Sequence, residues 1–274
     1  MASRRDALVF IASSLAFTEA LPAFGQNSAA YDHGSARWDA LLKKHVKWLP
    51  DNQQSRVAYA GFQADRAELK AVLDGLSAVS RATFDGWTRE QQMAFLINAY
   101  NAFTIELVLT GYPGIQSIKD LGSLVQSAWK KKFFTLLGER QHLDWIEHAQ
   151  LRPRYADPRI HTAIVCASIG CPALRPEAFT ATQLNAQLED GMRRFLGDRT
   201  RNRYQNGRLE VSQIFKWFRE DFEQGHQGFA TVQDVFARYA AQLTDQPGGQ
   251  AALRAKTVSI GYLDYDWSLN DAGR

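Results

Sequence analysis

From Trp38 to Trp48 the apolar positions Trp38, Leu41, Leu42, His45/Val46 and Leu49 recur at steps of three and four, the period of a one-faced helix that Pro50 stops. Phe62 to Leu76 repeats the pattern through Leu69, Val72, Leu73 and Leu76. Thr88 to Leu109 carries it through Met93, Leu96, Ile97, Tyr100, Phe103, Thr104, Leu107 and Val108 until Gly111 and Pro113. Beyond that point the pattern changes. Phe133–Leu137 and Gln141–Leu143 flank Gly138-Glu139-Arg140 and predict a tight hairpin. Asp144 is placed to cap a helix through Trp145, Ile146 and His148. Arg159–Val165 reads as a buried strand, bounded by Asp157-Pro158 and a Cys/Gly/Pro loop.

Thr180–Leu196 predicts a helix opened by its threonine, with Leu184, Leu188, Met192 and Phe195 on one face. Asn206-Gly207 is a strong hairpin signal joining Arg203-Tyr204 to Leu209–Val211. Ile214–Phe222 and Phe229–Leu243 predict amphipathic helices, Pro247-Gly248-Gly249 a loop, and Thr257–Leu263 a last strand. Helices early, hairpins and strands late, with no regular alternation, predict an α+β fold: a helix-rich N-terminal half packed on a small mixed or antiparallel sheet with hairpins. No internal repeat or Pro/Ser-rich linker breaks the chain, so residues 26–274 are expected to form a single domain.

The segment Met1–Gly25 has the order of an export signal: Arg4 and Arg5, an apolar run from Ala7 to Phe17, and small residues at Ala23-Phe24-Gly25. That run is too short to span a bilayer, which takes about 20 residues. Ser3-Arg4-Arg5-Asp6-Ala7-Leu8 also resembles the twin-arginine export signal. A periplasmic or secreted soluble protein is expected, with no transmembrane segment in the mature chain. The 274 residues are 45% hydrophobic and 22% charged, an ordinary globular balance, and the net charge of +3 carries no basic stripe of the kind nucleic acid demands.

Cys166 and Cys171 are the only cysteines, and they bracket Ala-Ser-Ile-Gly just after the predicted buried strand. A thiol there is a candidate nucleophile, with His161 or His148 as its base and Glu147 as the base's orienter. The competing reading is one structural disulfide, because an exported protein meets an oxidising compartment. Four intervening residues allow a bridge if the Cα atoms approach to about 4.4–6.8 Å, with Gly170 supplying backbone freedom for the curl. So short a loop is a weak staple, worth about 2 kcal/mol. An accessible pair is therefore expected, reducible without unfolding, with His161 or His148 lowering one thiol pKa. A zinc reading of His161, Cys166 and Cys171 suffers from wide spacing and a missing fourth ligand. No P-loop, dinucleotide fingerprint or His-Glu-x-x-His helix is present, so neither a metal nor a cofactor is expected.

Asn98, Tyr100 and Asn101 interrupt an apolar helix, where asparagine is a weak helix former and a buried amide needs a partner. They either clamp neighbouring loops or hold a ligand, and both asparagines border the buried stripe facing 157–175.

Phe95–Ala102, Ile146-Glu147-His148, Asp157–His161 leading into Cys166–Arg175, Ile214–Phe218 and Tyr265–Asn270 together resemble the domain of unknown function family numbered 547, across about 91–270. The resemblance implies a domain found in secreted bacterial proteins and appended to other modules in eukaryotes, with no established reaction. It implies that Glu147, His148, His161, Cys166 and Cys171 stand at the family's matched positions and adds Arg175 to the candidate binding set of Asn98, Tyr100 and Asn101. Ala167 stands where relatives often have glycine. Two functions remain open: a non-catalytic binding or structural module with a Cys166–Cys171 pair, or a cysteine-dependent enzyme using a Cys/His/Glu site, hydrolytic, transferring or redox. No partner is indicated.

Overall fold

The computed structural model describes residues 31–123 and 125–273; the export signal expected in Met1–Gly25 lies outside them. The chain from Tyr31 onward is one unit. It begins with α1 (Ala36–His45), β1 (Val46–Trp48), β2 (Ser55–Val57), α2 (Tyr59–Ala64), α3 (Arg66–Ser77), α4 (Arg81–Asp85) and α5 (Arg89–Leu109). The helix predicted over 38–48 therefore ends early. Val46 is extended, and Val46 and Trp48 pair antiparallel with Val57 and Ser55. A β-branched residue at a helix end joins a ladder readily when a partner strand is nearby. The helix predicted over 62–76 is two, broken at Asp65.

The long central helix is as predicted. Thr88 and Gln91 close a reciprocal capping box at its start. Most of α5 is buried on every side, as expected of a helix around which a core is built.

The hairpin forms as β3 (Phe134–Leu136) and β4 (Glu139–Gln141), but its turn is Leu137-Gly138, both at positive φ, so Glu139 and Arg140 pair as strand where a three-residue turn is predicted. Trp145–Leu151 is a π-helical turn running into α6 (Arg152–Tyr155), and Asp144 makes no capping bond there. The buried strand predicted over 159–165 is not a strand. Pro158–Thr162 is a 3-10 helix, opened by the Asp157 side chain accepting the Arg159 N–H at 3.0 Å, and irregular chain follows. Burial is real, with Ile160, His161, Ile164 and Val165 all buried. A short apolar run reports burial without distinguishing strand from helix, and Asp-Pro is a helix-opening pair.

α7 (Leu184–Gly197) starts four residues later than predicted, Thr180 lying in a preceding turn. The Asn206-Gly207 turn joins β5 (Arg203–Gln205) to β6 (Arg208–Val211) as expected. The two late helices are each split: α8 (Ile214–Trp217) and α9 (Arg219–Phe222), then α10 (Val232–Arg238) and α11 (Ala240–Leu243). The loop predicted at 247–249 instead opens α12 (Pro247–Arg254), with proline at the first helical turn, where its missing N–H costs nothing. Gly249 is required there by contact, since a Cβ would stand 2.7 Å from the Tyr204 ring. β7 (Ser259–Tyr262) then runs parallel to β6, completing a three-stranded mixed sheet. The α+β class holds, with the strands spread over three small sheets.

Two buried apolar clusters result. One surrounds α5, and the other gathers α7, β6, Phe215, Phe222, α10 and α11. The segment 157–179 is largely buried but mostly irregular, so its backbone polar groups must be satisfied from elsewhere. Asn101 Nδ2 donates to the Ala163 carbonyl at 2.9 Å and its Oδ1 accepts the Val165 N–H at 2.9 Å. Asn98 does the same for Phe179, donating to its carbonyl at 2.8 Å and accepting its N–H at 2.9 Å. Both amides face inward as expected; Asn98 reaches just beyond the 157–175 segment. Replacing either with alanine orphans one buried N–H and one buried carbonyl, at about 1–3 kcal/mol each. Asn98→Ala and Asn101→Ala should each lower the thermal denaturation midpoint clearly, and an unchanged melting curve would refute the clamp.

Candidate functional site

A cleft of about 180 Å³ opens where the two apolar clusters meet. Tyr265, from the segment after β7, packs against both. Tyr100 of α5, Asp144 and Glu147 of the π-helical turn, His161 of the 3-10 helix and both cysteines line it, closed over by Ile214, Trp217 and Phe218 of the α8 region and by Trp267. Four of the five candidate catalytic residues thus meet in one place, across a stretch of chain from Glu147 to Cys171. His148 does not join them. It points to the surface and contacts Arg152 Nη1 at 3.0 Å.

Cys166 and Cys171 form a disulfide, with Cα atoms 6.3 Å apart. Cys171 is buried and Cys166 half-buried. The loop is not curled by Gly170. Ala167 takes the positive φ, +63°, a conformation that favours glycine. Gly170 is needed because the loop lies against the C-terminal segment: a Cβ would stand 2.9 Å from the Asp266 carbonyl oxygen. Ile169 N–H and Gly170 N–H donate to the Ser268 and Asp266 carbonyls at 2.8 Å each. Below the loop, buried Arg201 donates to the Cys171 carbonyl while paired with Asp198.

Neither imidazole bonds a sulfur. His161 is buried, its ring stacked on Phe218 at 3.9 Å, and its Nε2 lies 2.6 Å from Asp221 Oδ2. Asp221, on α9, is also gripped by Arg152 through Nε at 2.6 Å and Nη2 at 3.0 Å. The His161 and Arg152 hydrogen bonds hold the Asp221 carboxyl far below its ordinary range against the opposing effect of burial. An ionised carboxylate only accepts, so His161 carries its proton on Nε2 and leaves Nδ1 bare. Burial lowers the His161 pKa and keeps the ring neutral.

Nδ1 of His161 lies 3.9 Å from Glu147 Oε1. Glu147 is therefore not the orienter; Asp221 is, and sequence reasoning missed it because sixty residues separate the partners. Burial, and then the negative charge of Asp144, push the Glu147 carboxyl up to about 7. The nearby Arg152 charge and the Tyr100 hydroxyl work the other way. A neutral imidazole with a free lone pair thus faces a carboxyl poised near neutrality, a pair able to accept and supply a proton to one bound group.

The remaining candidates are elsewhere. Asn98 and Asn101 are engaged as backbone clamps. Arg175 is not a cleft residue; it pairs with Asp190 and lies 3.4 Å from Glu177. With both sulfurs in the bridge, the zinc set of His161, Cys166 and Cys171 has no thiolate to offer, and among the described residues no cluster of three or more His, Cys, Asp or Glu is arranged to hold a metal ion. Among the described residues no helix is long and apolar enough to cross a membrane.

The fold and this cleft define an α+β protein with an aromatic-walled, disulfide-edged pocket. Residues 84–196 match the model of the family described as "Protein of unknown function, DUF547", and over that stretch the chain is similar to that family. The match covers α5, the hairpin, Glu147, His161 and both cysteines; Asp221, Trp217, Tyr265 and Trp267 lie outside it. No curated protein matches the chain, and no solved structure does.

Because Glu147 is protonated more readily in the fold than in the unfolded chain, its contribution to stability is complete below pH 4.5 and is lost as pH rises through about 7. Glu147→Gln should shrink the difference in melting temperature between pH 5 and pH 8 by stabilising the protein at the higher pH. An unaltered pH profile would show that Glu147 ionises normally.

Proposed function

We propose that this is an exported protein whose cleft is a binding site for a small molecule with a flat apolar face and one polar end. The observation that carries this reading is the division of the cleft itself. Its mouth is aromatic: Trp217 and Trp267 stack at 5.8 Å, Tyr265 lies 4.6 Å from Trp267, and Trp129 is 5.9 Å away on the other side. Trp217 is 46% exposed, one of only two large apolar side chains so exposed among the described residues. Its floor is polar but sparsely so, with Glu147, His161 and Tyr100 converging. Binding pockets commonly combine such walls with a few placed hydrogen-bonding groups.

The nucleophilic form of the enzyme alternative needs a thiolate, and the bridge consumes both sulfurs. That observation favours the binding module. Export is supported by the basic-then-apolar order of the N-terminus and by a disulfide of the kind that oxidising compartments maintain. The Asn98/Asn101 clamps are structural on this reading, and Glu147 with His161 forms the polar end of the site.

Phenol tests the site, having one aromatic face and one hydroxyl. Titrated into protein carrying nitrogen-15 label, it should shift the indole N–H resonances of Trp129, Trp217 and Trp267 saturably and leave that of deeply buried Trp38 in place. Shifts that never saturate, or that spread evenly over all the tryptophans, would remove the binding reading. For export, the intact mass of periplasmic material should lack residues 1–25, and a mass that includes Met1 would overturn it.

A further inference from the structure

The two sulfurs of the bridge differ in their surroundings. Both line the cleft, but Cys166 is half-buried whereas Cys171 is 5% exposed. Cys171 Sγ nevertheless has two donors within reach: the Cys166 backbone N–H at 2.9 Å, which serves this sulfur alone, and the Tyr265 hydroxyl, which stands 3.2 Å from each sulfur and is free to follow the charge to Cys171 once the bridge opens. A neutral disulfide sulfur is a weak acceptor and gains little from them. A thiolate gains much more, because donors already in place stabilise charge without reorganising. The Tyr265 hydroxyl stays protonated, since burial raises its pKa far above its ordinary value. Ser168 Oγ sits 3.0 Å from Cys166 Sγ and completes the polar collar around the bridge.

The bridge is also an inefficient brace. It spans five residues of sequence, and the loop is already fastened to the C-terminal segment by the backbone bonds of Ile169 and Gly170 and by the Ser168–Leu269 bridge. Opening it leaves those fastenings in place.

We propose that the Cys166–Cys171 disulfide is a thiol-exchange site, attacked at Cys166 by a low-molecular-weight thiol entering the cleft and releasing Cys171 as a thiolate held by the Tyr265 hydroxyl and the Cys166 N–H. The inference goes beyond the binding reading and shares with it only the openness of the cleft. In the first step a thiolate RS⁻, its proton already lost to solvent, forms a bond to Cys166 Sγ. The electron pair of the Cys166–Cys171 bond goes to Cys171 Sγ. In the second step another RS⁻ attacks the outer sulfur of the adduct, giving RSSR and the Cys166 thiolate. Two thiols are oxidised to one disulfide, and the protein bridge, the oxidant, is reduced to a dithiol. Attack falls on Cys166 because it is the less buried of the two sulfurs that line the cleft. A leaving thiolate of low pKa departs faster.

The test uses oxidised full-length protein and reduced glutathione, quenched with acid and digested for mass spectrometry. The expected result is a glutathione adduct on Cys166 alone, formed while circular dichroism remains native. An adduct on Cys171, or no adduct until the protein is denatured, would overturn the proposal. The Cys166→Ser variant isolates the second sulfur. Its Cys171 thiol should titrate, by thiolate absorbance, below the ordinary value of about 8.5. Adding Tyr265→Phe should raise that midpoint by about one pH unit, roughly the effect of one lost hydrogen bond to a charged group. A Cys171 midpoint at or above 8.5 would refute the thiolate site whether or not the tyrosine variant folds. Phenol binding is read from tryptophan resonances in the oxidised protein, so failure of exchange and failure of binding are separately visible.

Discussion

A buried segment without regular structure is the constraint on which this molecule depends. Residues 157–179 carry Asp157, His161, both cysteines and the approach to α7, yet they offer each other few ladder or helix bonds. Each buried N–H and carbonyl there needs an external partner. The partners come from both sides. Asn98 and Asn101 reach in from α5, and Arg201, Asp266 and Ser268 reach in from the C-terminal half. That shared attachment brings two separate apolar clusters to a common seam, and the cleft is the part of the seam that side chains leave unfilled.

The electrostatics of the seam follow from which charges are compensated. Asp221 is held by Arg152 and His161 and stays ionised; Glu147 has no comparable donor and is driven toward its neutral form by burial and by Asp144. Two carboxyl groups facing the same imidazole are thereby pushed in opposite directions. The result is a fixed tautomer at His161 with its bare nitrogen directed toward Glu147. Burial of the ring against Phe218 preserves the arrangement by making a charged imidazole costly.

The disulfide sits at the edge of that polar floor. Its fastening is redundant, because the loop is already tied to the segment 266–269 through backbone bonds. Its donors are unusually well placed for a charge it does not carry while oxidised. The family match ends at residue 196, before Tyr265 and Asp221 enter the chain, so the half of the site that tunes these groups lies outside the matched stretch.

Much of this was legible in the residues alone. Helix α5, the hairpin turns at Gly138 and Gly207, and the inward direction of Asn98 and Asn101 follow from local rules of period, turn chemistry and polar satisfaction, which act within a few residues. The grouping of Glu147, His161, Cys166 and Cys171 was also readable, because those residues lie close in sequence on a buried stretch. Local rules failed where two conformations satisfy the same pattern. The apolar run 159–165 became a 3-10 helix and a loop, Val46–Trp48 left its helix for a strand, and Pro247 opened a helix where a loop was expected. Tertiary contact alone decided that Asp221 orients His161, that Glu147 faces the ring as a near-neutral acid, that His148 and Arg175 stand outside the cleft, and that Tyr265 reaches both sulfurs. The first and last of these depend on residues sixty to a hundred positions apart meeting at hydrogen-bond distance, and the others on how the irregular segment packs. A single sequence records which side chains are able to bond, but the packing of distant elements chooses which of them do.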